Sequence, residues 1–446
     1  MEITNSYYGT GSFPQRARTF FTEKNGLPSD SVLCTVFDKK GRLWAGTAKG
    51  LAYFEGENFV TVPVGGSDAV AVTFLFCDDG GTLWVGCGPE LYTYKKNKIS
   101  FAKVFEGEGD IVGMAQSGDS IYLLTQAVLH RLVKEDWKVL KPVDGTGKKL
   151  AVSGDNVYVL TGEGILAFGC KRPRWKGIVP RFSDMPKSTL NDIAFDSWGH
   201  LWVGASDGLY VYDNMDYWIG PDEIATLPAE KINAIQITKS GGKFLASDNG
   251  VICLVKGALK YLGAERWVPA ADVTVVAVTD DGDTIWAGTE KGMSRITTSM
   301  TTLSAKADLY QKTTEAHHVR HGYVCGRGGI VNEDLTTGSV HISDNDGLWT
   351  GCYAAAETFR YAVTGKKDAL ENARRSIRAM LYLTKISGIP GFTARAIRKP
   401  GEEGFGNGNR EWDLTADGSC EWKCETSSDE MVGHFLAFSL YYDLCA

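Results

Sequence analysis

A short sequence motif, called the Trp-x-Gly phrase below, recurs along the chain and constrains its fold more than any other feature. In the first copy a glycine-containing turn leads into Leu43-Trp44-Ala45-Gly46-Thr47, and a second turn follows at Lys49-Gly50. Further copies centre on Trp84, Trp202 and Trp286. Alternating large and small residues between glycine turns are typical of short β-strands, because glycine readily adopts the positive φ of tight turns. The phrase therefore predicts a series of similar β-units.

The spacing of these copies indicates a propeller. Weaker copies add Tyr122, Tyr158 and Phe244, and the steps between successive aromatic residues are 40, 38, 36, 44, 42 and 42 residues. A period of about 40 residues with about four strands per repeat is typical of propeller blades. The clearest copies follow apolar runs, such as residues 32–37, that suit innermost strands. We expect a mainly β chain in which residues 17–300 form a seven-bladed β-propeller, because one blade cannot bury both faces alone.

The N-terminal segment has a separate role in this prediction. Residues 1–16 are expected to form a tail, and residues 17–22 read as a strand that is out of phase with the first repeat. A strand in that position completes the last blade and ties it to the first. We therefore expect residues 17–22 to close the ring.

Residues 26–51 resemble the repeat of a known family. They read Gly-Leu-Pro-Ser-Asp, then an apolar strand, then Asp-x-x-Gly-x-Leu-Trp-x-Gly-Thr, and later Gly-Leu. This order resembles the repeat of the two-component regulator propeller family, and the resemblance covers about residues 17–300. It implies a propeller fold. It also implies a glycan ligand, because repeats of that family often form sensor domains that recognise glycans, and similar propellers occur in polysaccharide lyases.

Composition and charge narrow the expected partners. The 446-residue chain has a net charge of −7, which argues against nucleic acid and anionic membranes as partners. It has no apolar run of about 18 residues, so we expect no membrane insertion. Residues 1–6 lack the basic and apolar regions of a secretory signal. We expect either a cytoplasmic chain or a processed secreted protein.

Helical patterns replace the repeat after Thr298. Residues 301–349 are predicted to form a linker helix and a hairpin at residues 323–330. Residues 350–446 are predicted to form a smaller C-terminal α-helical domain that includes a β-hairpin around Trp412 and Trp422. Helix pairs joined by loops with Trp, Asp and His resemble a partial α/α toroid of carbohydrate-active enzymes. A full toroid has on the order of a dozen helices in nested pairs, whereas this segment offers three or four. The apolar run 435–442 therefore predicts either an incomplete domain or a second chain that covers it.

Histidines concentrate where the repeat ends. Four of the seven fall within residues 317–341. On a helix, His317 and His321 would share a face, with Arg320 beside them. Such a group offers a base for proton abstraction and a cation for a uronic carboxylate. We assign His317 and His321 as candidate catalytic residues and Arg320 as a candidate substrate-binding residue, with surface or packing roles as the alternative.

Asp344 and Asp346 flank a predicted tight turn. Turn chemistry alone explains them, because Asp side chains bond the nearby backbone in turns. The alternative is a pair of candidate catalytic carboxylates or a Ca²⁺ site, although the remaining ligands of a calcium loop are missing. Trp349 and Tyr353 follow as candidate substrate-binding residues that stack on a sugar. We expect no cofactor besides Ca²⁺ at Asp344 and Asp346.

The start of the last predicted helix provides a second group. Ser427 fits the N-cap position of a capping box with Glu430 at the third helical position, and Asp429 complements the helix dipole. Glu430 and His434 are four residues apart and share a helix face. We assign His434 as a candidate catalytic residue, and Asp429 and Glu430 as candidate substrate-binding residues.

Two functions fit these patterns. The first is a carbohydrate-active protein, a polysaccharide lyase or glycoside hydrolase for uronic-acid-containing glycans, with its site where the propeller meets the helical domain. Hydrolysis requires two carboxylates about 5–10 Å apart, whereas lyase chemistry requires a base and a cation. The alternative is a non-catalytic propeller that serves recognition or structural interaction. Its partner would be a glycan or a protein, with loops 172–176 and 217–218 as candidate surfaces, and a homo-oligomer is a further possibility.

Overall fold

The structure is a computed structural model that describes residues 11–66, 69–169, 175–178, 188–213, 218–224, 226–331, 334–408 and 410–446. Contacts divide the chain into two compact units. One unit spans Pro14–Met300, and the other spans Thr301–Ala446 with a short stretch that ends at Phe13. Among the described residues, no helix is long and apolar enough to cross a membrane.

The described residues of the Pro14–Met300 unit form seven four-stranded sheets, six of which consist of consecutive strands. The first three are β2 (Val32–Phe37), β3 (Leu43–Thr47), β4 (Gly50–Glu55), β5 (Asn58–Val62); β6 (Phe74–Cys77), β7 (Leu83–Cys87), β8 (Glu90–Lys95), β9 (Lys98–Val104); and β10 (Ile111–Ser117), β11 (Ser120–Thr125), β12 (Val128–Val133), β13 (Asp136–Pro142). The next three are β14 (Gly147–Ser153), β15 (Asn156–Thr161), β16 (Ile165–Gly169), β17 (Trp175–Ile178); β18 (Leu190–Phe195), β19 (Leu201–Ala205), β20 (Gly208–Tyr212), β21 (Trp218–Ile219); and β22 (Ile232–Ile237), β23 (Lys243–Ser247), β24 (Gly250–Val255), β25 (Ala258–Gly263). Short helices at Glu23–Asn25, Pro221–Ile224 (α1) and Ala264–Arg266 lie between strands.

The remaining sheet joins the two ends of this unit. Its strands β26 (Val273–Val278), β27 (Thr284–Thr289) and β28 (Gly292–Thr301) are followed in the sheet order by β1 (Phe13–Phe21) from the start of the chain. The predicted pairing of the N-terminal strand with the last sheet is therefore confirmed. The strand begins at Phe13, earlier than the predicted start at residue 17.

The repeat phase that was predicted from the sequence is also confirmed. The seven aligned aromatic residues all lie on the second strand of a sheet: Trp44, Trp84, Tyr122, Tyr158, Trp202, Phe244 and Trp286. The apolar runs before them form the first strands, which pair antiparallel with the second. The unit is thus mainly β, and it is built from many similar four-stranded antiparallel sheets.

The glycine of the Trp-x-Gly phrase lies where two neighbouring sheets approach each other most closely. A Cβ atom at Gly46 would lie 2.7 Å from Val72 Cγ1, which precedes the first strand of the next sheet. At Gly288 in the last sheet, a Cβ atom would lie 2.7 Å from Val32 Cγ1 in the first sheet. Because such distances are shorter than carbon–carbon contacts allow, only glycine fits both positions without a shift of the neighbouring sheet.

An aspartate braces the turn that precedes the aromatic residue. Asp78 Oδ1 accepts a hydrogen bond from the Thr82 backbone N–H (2.8 Å), and Asp78 Oδ2 accepts one from Trp84 Nε1–H (2.9 Å). The same bond joins the indole to the aspartate six positions earlier in two further sheets. This brace explains why Asp precedes Trp at a fixed spacing in the strongest copies of the phrase.

The Thr301–Ala446 unit contains the four longer helices of the described chain. They are α2 (Leu303–His317), α3 (Asp346–Thr364), α4 (Lys367–Leu383) and α5 (Ser428–Cys445). Short strands connect them: β29 (Val319–Arg320), β30 (Tyr323–Val324), β31 (Gly326–Gly328), β32 (Ser339–His341), β33 (Ile397–Arg398), β34 (Trp412–Leu414) and β35 (Glu421–Lys423). α3 packs against both α4 and α5. The predicted helices and the predicted hairpin around Trp412 and Trp422 are confirmed, although α3 begins before the predicted start at Thr350.

The predicted hairpin at residues 323–330 is wrong. β30 pairs with β29, and β31 pairs with β32, so this segment contributes one strand to each of two small sheets. The reason is a tight turn between β29 and β30, where His321 and Gly322 have φ of 54° and 92°. Positive φ at two successive residues reverses the chain before Tyr323, as in a type I′ turn.

We predict that Asp78→Ala lowers the free energy of unfolding by about 2 kcal/mol, because it removes a buried acceptor from the Trp84 indole and the Thr82 N–H. Urea denaturation followed by Trp fluorescence measures the change. Asp79→Ala is the matched control, since Asp79 is an exposed partner of Lys39 and its loss should cost less than about 1 kcal/mol. Equal effects of the two substitutions would contradict the brace.

We predict that Gly288→Ala costs about 1–3 kcal/mol, because the new methyl group overlaps Val32 and Val275 and forces the first and last sheets apart. Gly162→Ala is the control, since no atom lies within 4 Å of a Cβ at Gly162. The measurement is the urea midpoint of each variant. If both variants unfold at the wild-type midpoint, the tight contact between the first and last sheets does not exist in solution.

Candidate functional site

The predicted histidine pair does not share a helix face. His317 is the last residue of α2, and His321 lies in the turn between β29 and β30. The C-cap residue His318 ends the helix, and its ring Nδ1 lies 3.1 Å from the Cys325 carbonyl oxygen. The expected geometry of His317 and His321 is therefore wrong, because the helix ends before His321.

Arg320 and His321 bind one carboxylate that sequence reasoning missed. Arg320 Nη1 donates to both carboxylate oxygens of Glu402, at 2.8 and 3.0 Å, and His321 Nε2 lies 3.0 Å from Glu402 Oε1. Burial opposes ionisation of Glu402, but hydrogen bonds from the Lys399 N–H and from Arg320 outweigh it and lower the pKa of Glu402. The predicted cation for a uronic carboxylate is thus already paired with Glu402. Nothing in the glycine-rich segment around Glu402 indicates this role.

Three of the predicted residues lie together in the interior. Asp346 begins α3, and Glu430 and His434 lie on α5; their exposures are 0%, 1% and 0%. Gly347 makes this approach feasible, because a Cβ there would overlap the Glu430 carboxylate and lie 3.0 Å from His434 Cε1. One turn later, a Cβ at Gly351 would lie 2.6 Å from the Gly433 carbonyl oxygen. The absence of side chains at these glycines lets the two helices pack closely.

The polar atoms of this buried cluster are only partly satisfied. Asp346 Oδ1 accepts hydrogen bonds from the Ser343 N–H and hydroxyl, at 3.2 and 2.9 Å. His434 Nδ1 lies 2.9 Å from the Glu430 carbonyl oxygen, so Nδ1–H donates. Within the described chain, Asp346 Oδ2, both Glu430 carboxyl oxygens and His434 Nε2 have no hydrogen-bond partner. The predicted capping box is therefore half correct: Ser427 caps α5, but the Glu430 side chain does not reach back to it.

Burial favours the neutral form of all three groups. It raises the pKa of Glu430 to about 7, raises the pKa of Asp346 and lowers the pKa of His434. The nearby Asp346 carboxylate raises the pKa of Glu430 further. The pKa of Glu430 thus lies near neutral pH, but none of the three members is open to a substrate.

Asp344 lies apart from this cluster, on the surface. Its carboxylate binds Lys423 Nζ, and its carbonyl oxygen accepts a hydrogen bond from Arg395 Nε at 2.8 Å. The bond from Lys423 lowers the pKa of Asp344, and Lys423 also lies 3.1 Å from Glu411. Among the described residues, no group of three or more His, Cys, Asp and Glu could hold a metal ion. The Ca²⁺ site at Asp344 and Asp346 stays a prediction.

The remaining predicted residues lie on α3 and α5. Trp349 is 49% exposed, whereas the Tyr353 hydroxyl donates to Glu315, which also forms a two-point ion pair with Arg375 at 2.6 and 2.8 Å. Asp429 is exposed in the first turn of α5. Trp349 therefore remains available as a stacking surface, and Tyr353 serves the Glu315 ion pair.

The other unit carries a second candidate site that the sequence analysis missed. The turns between first and second strands line a cavity of about 570 Å³, with walls from residues 152–154, 195–199 and 237–239. Trp198 at its edge is 65% exposed. A neighbouring cavity of about 480 Å³ shares Lys239 and reaches Asp38 and Asp280. Of the predicted surface loops, residues 172–174 and 217 lie outside the described residues.

Asp196 holds the Trp198 turn in place. Its Oδ1 accepts hydrogen bonds from the backbone N–H groups of Trp198 and His200, at 3.1 and 3.0 Å, and its Oδ2 accepts from Trp202 Nε1–H at 3.0 Å. Burial opposes ionisation of Asp196, but these bonds outweigh it and lower the pKa of Asp196. The sequence does distinguish Trp198, because the equivalent turn positions of the first two repeats hold the non-aromatic residues Lys40 and Gly80.

Comparisons with known proteins support the propeller-like fold. The sequence profile of the family described as "Two component regulator propeller" matches residues 26–49. Among curated protein sequences, none matches this chain at a significant level.

Solved structures with a similar fold include two kinds of protein. The extracellular domain of one protein from B. thetaiotaomicron, described as a hybrid two-component system, has a TM-score of 0.52 and 18% identity over 64% of this chain and 39% of its own. A second such domain from that organism gives 0.51 and 18% over 63% and 42%. Virginiamycin B lyase from Staphylococcus aureus gives 0.52 and 12% over 64% and 99%. The chain spans about two fifths of the length of the two extracellular domains, and these identities establish the fold alone.

We predict that the buried Glu430 makes the protein less stable as the pH rises. A carboxyl group with a pKa of about 7 when folded and an ordinary pKa when unfolded binds more protons in the folded state, so stability falls between about pH 5 and pH 8. Glu430→Gln should remove about 2–3 kcal/mol of this fall. Urea unfolding at both pH values measures it.

The exposed Glu403 supplies the control for this experiment. Glu403→Gln should keep the wild-type pH dependence, because the substituted carboxylate lies in water. Parallel stability curves for the wild type and Glu430→Gln between pH 5 and pH 8 would show that Glu430 ionises normally in the folded protein.

Proposed function

We propose that residues 17–300 form a closed seven-bladed β-propeller and that this unit is a non-catalytic recognition module for a saccharide. The observation that carries the proposal is the exposed Trp198 at the edge of a cavity lined by turns of three successive sheets. Ligand pockets commonly combine an aromatic surface with a few polar groups that fix orientation.

The packing of the sheets supports a closed ring. The first strands contact each other in the order β2, β6, β10, β14, β18, β22 and β26, and β26 contacts β2 again. The contact between Gly288 and Val32 has the same tightness as the contact between Gly46 and Val72. Repeats that bury their faces only against neighbours are stable when every repeat has two neighbours.

The chemistry around Trp198 suits a sugar. An indole face binds the apolar C–H face of a pyranose, while hydroxyl and amino groups nearby bond its hydroxyls. Ser153, Ser197 and Lys239 line the same cavity and supply such groups. Lys243 Nζ lies 5.4 Å from the Trp198 ring centroid and helps to hold the ring.

The likeness to known proteins is consistent with recognition. The family match carries the description of a two component regulator propeller, and two of the similar structures are extracellular domains described as parts of hybrid two-component systems. Proteins of that description respond to signals, so a ligand-binding role is the simplest one to propose for a related fold.

The lyase or hydrolase interpretation has less support from the geometry of the helical unit. Asp346 and His434 are buried, and Arg320 and His321 are engaged by Glu402. An acid–base pair must reach the proton that it transfers, within about 3 Å of the substrate atom. This interpretation, with its uronic-acid substrate, stays a prediction.

The partial toroid and its covering partner also stay predictions. α3 packs against α4 and α5, which is compatible with nested helix pairs. On α5, Phe435 is 64% exposed and Tyr442 is 77% exposed. A second chain or a homo-oligomer that covers them would be detected by light scattering as a mass above that of one chain.

We predict that Trp198→Ala weakens saccharide binding by about 3–10-fold, the loss of one aromatic stacking contact. Titration calorimetry with cellotriose, maltotriose and trigalacturonate measures the dissociation constants, and Trp198→Phe should retain most of the affinity. Phe359→Ala, at an exposed aromatic residue of the other unit, is the matched control.

Two outcomes would overturn the recognition proposal. One is that none of the three trisaccharides binds the wild-type chain. The other is that Trp198→Ala and Phe359→Ala bind equally well. Formation of an unsaturated, ultraviolet-absorbing product from polygalacturonate would instead support lyase activity.

A further inference from the structure

The helical unit contains an open cleft of about 780 Å³ that none of the functions above uses. One wall is the outer face of α4, which contributes Arg374, Arg375, Arg378 and Tyr382. The lining also includes the His321 turn, Lys399, and residues 419–420 before β35. The cleft is large enough for a ligand of two sugar rings or of similar size.

The cleft is strongly basic. Its lining includes four permanent cations, the three arginines of α4 and Lys399, against one carboxylate, that of Glu371. Arg374 and Arg378 are four residues apart on the helix, and like charges at this spacing destabilise a helix by about 0.2–0.5 kcal/mol. A counter-charge in the cleft would relieve this repulsion.

Two of these cations have no side-chain partner within the described chain. Arg375 is paired with Glu315, and Arg374 contacts the Tyr441 hydroxyl at 3.4 Å. The side chains of Arg378 and Lys399 make no hydrogen bond or ion pair within the described chain, and both are exposed. They line the same cleft, Arg378 on α4 and Lys399 directly after β33, so a ligand bound there can contact both.

The floor of the cleft is rigid and partly aromatic. The Tyr323 hydroxyl donates to the Ala379 carbonyl oxygen at 2.8 Å and is buried, which fixes the floor to α4. Tyr382 is 42% exposed beside it. A ring-bearing ligand can therefore stack on Tyr382 while its charged groups contact Arg378 and Lys399.

We propose that this cleft binds a small organic ligand carrying at least two oxyanion groups, whether carboxylate, sulfate or phosphate. Arg378 supplies a planar fork that matches an oxyanion, and Lys399 supplies a second positive charge in the same lining. The proposal concerns the Thr301–Ala446 unit and does not depend on saccharide recognition by the other unit.

Titration calorimetry of the full chain at low salt tests the proposal with digalacturonate, a trisulfated heparin disaccharide and inorganic pyrophosphate, and with maltose as the neutral control. We expect at least one anion to bind with affinity that falls about 10-fold or more between 20 and 200 mM NaCl, because salt screens exposed charges. Maltose should show no heat at this site. The anion that binds most tightly identifies the acidic saccharide or the phosphate as the source of the oxyanion.

Charge-neutralising variants locate the site. The double variant Arg378→Gln, Lys399→Gln should weaken binding of that anion about 10-fold or more. The control double variant Lys367→Gln, Lys385→Gln removes the same net charge from exposed positions outside the cleft lining. It should change the dissociation constant less than 2-fold. All four positions are exposed, and near-ultraviolet circular dichroism verifies that the folds are unchanged. Absence of binding by all three anions, or equal loss in both double variants, would overturn the proposal. Trp198→Ala should leave this binding unchanged, which separates it from the recognition proposal.

Discussion

The close approach between neighbouring sheets at the glycine of the Trp-x-Gly phrase is the constraint on which the β unit depends. Val203 is buried on the second strand of its sheet, and the next residue, Gly204, would place a Cβ 2.8 Å from Ile232 of the following sheet. A side chain at this position would separate the sheets and open their shared core. Because the same contact recurs at Gly46 and Gly288, it fixes the distance between sheets at three places in the unit.

The aspartate brace fixes the turns that precede the second strands. In the strongest repeats, the carboxylate of an aspartate accepts a hydrogen bond from the indole of the next strand. In the sheet of β18–β21 the braced turn contains Trp198, and its large apolar ring is exposed. A rigid exposed aromatic residue loses little conformational entropy on binding, which favours recognition at this edge.

The sequence predicted those features that depend on local repetition. Trp44 and its counterparts identified the second strands, since alternation and glycine turns act within a few residues. The predicted helices were also correct, because their apolar spacing is local. The roles of Glu430, Glu402 and His321 were not predictable in this way. Glu430 misses its cap because Gly347, far away in sequence, opens a buried space for its carboxylate. His321 meets Glu402 because a left-handed turn redirects the chain after α2.

Two sets of ionisable groups in the helical unit differ in burial and in charge. Asp346, Glu430 and His434 are buried without full hydrogen bonding, so the interior holds them close to neutral and keeps water away. Arg378 and Lys399 are exposed and lack protein counter-ions within the described chain. A buried acid–base group cannot reach the proton of a substrate. Exposed positive charge in a cleft is what the proposed anionic ligand requires. The electrostatics of the cleft therefore fit the binding that we propose for it.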